Sequence, residues 1–83
     1  MDNRLNIADR VVVEIYNEGR RIATYEGTGF HNVTAAISSA IENSPQANAS
    51  PEDYVFRVTD TADGTTARYR INAGGNVKKL PEE

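Results

Sequence analysis

Eighty-three residues make one small domain, a size at which folding hides only about 60% of the surface exposed by the unfolded chain. With no Cys and a single histidine, His31, the chain is excluded from disulfides, thiolate metal sites, cysteine nucleophiles and multi-histidine metal clusters. Nine basic residues against twelve acidic ones give a formal charge of -3. That balance argues against a strongly cationic nucleic-acid or membrane binder and leaves room for a local basic patch.

Residues 1–9 mix charge and amide, with only Leu5 and Ile7 as apolar anchors. They read as a flexible N-terminal arm ahead of a single domain over 10–80. The arm lacks the apolar stretch of a secretory signal, and no run approaches the roughly 20 apolar residues of a membrane span. The expectation is a cytoplasmic protein that does not engage a membrane.

From Arg10 to Tyr16 the residues are β-branched and aromatic, with Val11, Val13 and Ile15 on one face and Val12, Glu14 and Tyr16 on the other. This alternation predicts a strand. Asn17-Glu18-Gly19 supplies turn residues, and Arg20 to Glu26 returns as the second arm of a hairpin. A two-residue turn at Glu18-Gly19, or a four-residue one from Asn17 to Arg20, sets Ile15 opposite Ile22 and Val13 opposite Thr24. The outer face then carries Val12, Glu14, Tyr16, Arg21, Ala23 and Tyr25. A three-residue loop with a bulge at Gly19 would instead set Ile15 against Arg21.

Val33, Ala36, Ile37, Ala40 and Ile41 follow at i, i+3, i+4, i+7 and i+8, the spacing that gathers side chains onto one stripe of a helix. Asn32 suits the N-cap, Phe30 is placed to pack beneath the helix start, and Pro45 disfavours helical backbone at Ser44, so the helix should end near Asn43. Residues 44–52 read as a mobile surface loop, with one helical turn available over Ser50 to Asp53. Tyr54, Phe56 and Val58 then alternate with Val55, Arg57 and Thr59, and Ala67, Tyr69 and Ile71 with Arg68, Arg70 and Asn72. An even-length loop between these strands puts the two apolar sets on one face. Val77 to Leu80 is a short additional strand candidate, and 81–83 form an acidic tail.

These elements predict an α+β fold, a two-layer ββαββ domain with one helix packed on a four-stranded sheet. An order two, one, four, three, with the first and last long strands parallel at the centre, resembles the β-grasp folds. An all-antiparallel order satisfies the same pattern.

The face that the helix leaves uncovered carries the most informative chemistry: Tyr16, Arg21, Tyr25, Arg57, Arg68 and Arg70, with Val12, Val55 and Thr59. Tyr, Arg and Val together resemble the centre of a protein interface, so the leading expectation is a non-catalytic module binding a protein partner or a second copy of itself. Aromatic rings with cations also suit single-stranded nucleic acid, which stacks its bases and pairs its phosphates. A third reading comes from Gly74-Gly75. Ubiquitin-like modifiers carry a diglycine just after the last long strand, and the resemblance in element order implies processing after Gly75, since eight residues follow it. Turn chemistry is the simpler account of the two glycines.

No small-molecule cofactor or metal is expected. Asp60, Asp63 and Gly64 lack the alternating ligands and twelfth-position Glu of a calcium loop. His31 has no nucleophile and carboxylate signalled beside it, and Ser38 and Ser39 lie on the polar side of a helix. Gly27-Thr28-Gly29 lacks the third glycine and the Lys of phosphate-binding loops.

Overall fold

A computed structural model describes residues 8–81. Five strands form one antiparallel sheet: β1 (Val11–Asn17), β2 (Arg20–Gly27), β3 (Val55–Asp60), β4 (Thr65–Ile71) and β5 (Val77–Lys79), in the spatial order β2-β1-β3-β4-β5. The helix α1 (Val33–Glu42) lies across β1, β2 and β3. The class is α+β as expected, but the sheet has five strands and the order is not that of a β-grasp fold. β1 runs antiparallel to β3, because the helical segment returns the chain beside β1 in the reverse direction and β4 folds outward as a hairpin. The short strand at Val77 completes the edge.

The helix forms for the reasons visible in its sequence. Asn32 adopts extended backbone and its Oδ1 accepts from the Ala35 amide at 2.8 Å, satisfying one orphan donor of the first turn. Val33, Ala36, Ile37 and Ala40 are buried, and Ile41 packs at the margin. The two alanines let the helix axis come close to the sheet, while Val33 and Ile37 fill the space toward Val11, Val13, Ile15 and Phe56 in the same cluster. Phe30 is buried under the helix start and its ring meets Tyr25 at 6.3 Å between centroids.

The segment 44–52 is more ordered than a loop. Pro45–Ala49 is a short helix, α2, and Pro51–Asp53 a single 3₁₀ turn. Proline stands in the first turn of both, where its fixed φ fits and its missing N–H costs nothing. Ala47 is fully buried and anchors the segment to the core, a contact its small side chain did not announce.

The β1–β2 hairpin has the expected two-residue turn, with Glu18 at φ 52° and Gly19 at φ 82°, the doubly positive geometry that matches strand twist. Its register departs from expectation two residues later. Asn17 faces Arg20 and Tyr16 faces Arg21, but Ile15 faces Ala23 and Val13 faces Tyr25, so Ile22 is the extra residue of a bulge. Both Ile22 and Ala23 pack toward the core. The bulge satisfies the apolar demand of Ile22 and also turns Thr24 and Glu26 outward. Tyr25 is consequently on the helix side, not on the uncovered face.

The β3–β4 hairpin has the expected alignment, with Phe56 facing Tyr69 and Val58 facing Ala67 across a four-residue loop. Gly74 and Gly75 lie in the turn before β5. Asn72 Oδ1 accepts from the Gly74 and Asn76 amides, each at 3.0 Å, and Gly75 has φ +84°. The expected arm 1–9 falls largely outside the described residues, as do Glu82 and Glu83 of the acidic tail.

Because the core is one helix deep, its centre should be sensitive to truncation. Ile37→Ala is expected to cost about 2–5 kcal/mol and Asn32→Ala about 1 kcal/mol, both read from urea denaturation midpoints.

Candidate functional site

Cross-strand pairing arranges the uncovered face in rows. One row reads Arg21, Tyr16, Val55, Arg70 and Lys78 from β2 to β5. The next reads Thr24, Glu14, Arg57 and Arg68, and a third Glu26, Val12, Thr59 and Thr66. Of the residues singled out in the sequence, Tyr16, Arg21, Arg57, Arg68 and Arg70 are thus brought together. Tyr25 is separated from them by the bulge and packs beside Phe30.

Glu14 holds this array in place. Arg21 Nη1 donates to its Oε2 at 2.9 Å, and Arg57 Nε lies 3.8 Å from its Oε1. The Glu14 side chain is 17% exposed, against 58% for Arg21 and 47% for Arg57, so the arginines roof the carboxylate. Sequence reasoning placed Glu14 on this face and gave it no role; an acid alternating between Val12 and Tyr16, with arginines on the neighbouring strands, is the signal that was available. Arg68 Nη2 donates to the Pro81 carbonyl at 3.0 Å, and Arg70 Nη1 to the Glu52 carbonyl at 3.3 Å. Thr59 and Thr66 share a hydroxyl hydrogen bond of 2.8 Å across β3 and β4.

A shallow groove of about 630 Å³ runs along these rows, lined by Tyr16, Val55, Leu80 and Pro81 together with Arg57 and Arg68. Leu80 enters because its amide donates to the Arg68 carbonyl at 2.8 Å, carrying the chain beyond β5 back toward β4. The sequence marks Val77 to Leu80 as a short strand candidate but gives neither Lys78 nor Leu80 a place at the site, since so short a strand leaves almost no periodicity from which to assign faces.

Other candidates disperse. Asp60 and Asp63 spend their carboxylates on turn amides, Asp60 on Ala62 and Asp63 on Thr65, and the Thr65 hydroxyl also donates to Asp63. These bonds hold the Asp63 carboxyl below its ordinary range. Asp9 beside them is pushed up, first by removal from water, then by its hydrogen bond to Asp60 and the charges of Asp60 and Asp63. Among the described residues no group of three or more His, Cys, Asp or Glu is placed to hold a metal. His31 is exposed at the helix start and Ser38 is exposed on its outer side. No helix among the described residues is long and apolar enough to cross a membrane. No protein family, curated protein or solved structure matches the chain.

Two measurements follow from these placements. Tyr25→Ser should cost about 1–3 kcal/mol because it opens the packing around Phe30, whereas Tyr16→Ser should cost about 1 kcal/mol or less, each read by urea denaturation. A carboxyl pushed up by folding favours the folded state below its ordinary value of 3.8, and that advantage is lost as pH rises through its folded value. Asp9→Asn should therefore raise the melting temperature at pH 7, with the gain vanishing below that ordinary value in a pH series.

Proposed function

We propose that this chain is a non-catalytic interaction module that engages a protein partner, or a second copy of itself, through the uncovered face of its sheet. The observation that carries the reading is the apolar pair Tyr16–Val55, adjacent across β1 and β3, with Arg21 and Arg70 on either side of it in its row and Arg57 and Arg68 in the row beside it. An apolar centre with an arginine margin is the composition that concentrates binding energy in protein interfaces. The adjoining groove supplies the concavity in which an anchoring side chain is desolvated. The cytoplasm is the compartment in which we place this activity.

Single-stranded nucleic acid is the second reading, supported by the gathering of arginines on one face of a chain whose net charge is -3. Its weakness is the number of rings, since Tyr16 is the one aromatic side chain in the three rows and successive bases stack on successive rings. The modifier reading is disfavoured as well. Cleavage after Gly75 would strip β5 from β4, removing the pairs Tyr69–Lys79, Arg70–Lys78 and Ile71–Val77.

Sedimentation velocity over a wide concentration range, with co-purification from native cells, tests the interaction reading. Tyr16→Ser and Arg68→Glu are expected to leave the far-ultraviolet circular dichroism unchanged and to abolish association. Association that survives both substitutions would remove this face from the function. For the second reading, a mixed-sequence oligonucleotide should bind at low ionic strength and weaken steeply with salt; no binding at low salt eliminates it.

A further inference from the structure

Building on the interaction reading above, we infer that the partner of this face is an acidic protein segment, one that presents an apolar side chain flanked by carboxylates. Its apolar group sits over Tyr16 and Val55, and its carboxylates meet the surrounding arginines.

Charge complementarity is the first ground. Among the described residues the three rows hold Arg21, Arg57, Arg68, Arg70 and Lys78 against Glu14 and Glu26, although the whole chain has twelve acidic residues and nine basic ones. The remaining described acids lie elsewhere, at Asp9 ahead of β1, around the hairpin turns, at the helix end and in the 3₁₀ turn. The described residues are therefore polarised, with a cationic sheet face and acids concentrated away from it. Such a face steers an anionic surface toward itself and repels further copies of its own kind face to face.

The geometry of the cations is the second ground. They border the apolar pair on three sides, Arg21 and Arg70 along its row and Arg57 and Arg68 in the next, and four of the five cations in the rows are arginine, whose planar fork matches a carboxylate in two hydrogen bonds. Glu14 already meets two of them, through one hydrogen bond from Arg21 at 2.9 Å and an ion pair with Arg57 at 3.8 Å, so the face displays on itself the carboxylate–guanidinium attraction it would offer a partner. A nucleic-acid backbone needs a track of phosphate contacts and repeated rings. An acidic peptide needs one apolar seat and a few forks, which is what the rows and the groove provide.

The test titrates the isotope-labelled full chain with three synthetic probes: a short peptide alternating Glu and Leu, a Lys-Leu peptide of equal length, and a single-stranded oligo-dT. The Glu-Leu peptide is expected to shift the amides of Tyr16, Val55, Arg57, Arg68 and Leu80, with an affinity that falls about ten-fold or more from low to high salt. Arg70→Glu and Lys78→Glu should each weaken it by about ten-fold. Lys79→Glu makes the same charge change on the opposite face, where Lys79 pairs with Tyr69, and should alter affinity less than about two-fold. Equal binding of the Lys-Leu peptide would overturn the acidic partner while leaving the interaction module standing. So would silence toward all three probes in a chain that self-associates. Preference for oligo-dT at the same residues would overturn both.

Discussion

The stripe Val33, Ala36, Ile37 and Ala40 shares one buried cluster with Val11, Val13, Ile15 and Phe56, and the rest of the molecule is arranged around that contact. A sheet of five strands exposes two faces, and a chain this short supplies one substantial helix to cover them. Covering one face fixes the register of every strand, because a slip of one residue would exchange the buried set for Val12, Glu14, Tyr16, Arg57 and Arg68. The uncovered face is thus a necessary product of folding, and its composition is free to serve something other than stability.

That freedom is used unevenly. Glu14 is less exposed than the two arginines that converge on it. Pairs of this kind near a surface contribute little to stability. Their effect is on geometry: guanidinium groups held by a common carboxylate lose part of the side-chain freedom they would otherwise surrender on meeting a partner. The groove beside them depends in turn on β5, whose short pairing with β4 brings Leu80 and Pro81 alongside Arg68.

Local patterns in the sequence carried much of this. Helix α1, its Asn32 cap, the turn at Glu18-Gly19 and the Phe56–Tyr69 alignment all follow from periodicity and turn chemistry within a few residues. Strand order does not, because the same hydrophobic alternation is satisfied by parallel and antiparallel neighbours, and only the path of the chain through α1 and α2 decides which edge of β1 receives β3. The bulge at Ile22 was half visible: Ile22 and Tyr25 are both apolar yet out of phase, a conflict an unbroken strand cannot resolve. Reading β2 as unbroken sent Tyr25 to the wrong face and made the site look richer in rings than it is. Buried Ala47 left no trace at all, since an alanine among polar residues is indistinguishable from a surface one.

The bulge has a further consequence at the margin of the sheet. β2 is an outer strand of eight residues, long enough that a straight, flat version of it would template the addition of strands from other molecules. Ile22 interrupts its ladder and twists it, Arg20 and Arg21 stand at one end, and Glu26 at the other. At the opposite margin β5 is only three residues long and carries Lys78 and Lys79. Both borders of the sheet are therefore poor starting points for amyloid-like growth, and the protein can keep a broad face of its sheet exposed without exposing an edge that would polymerise.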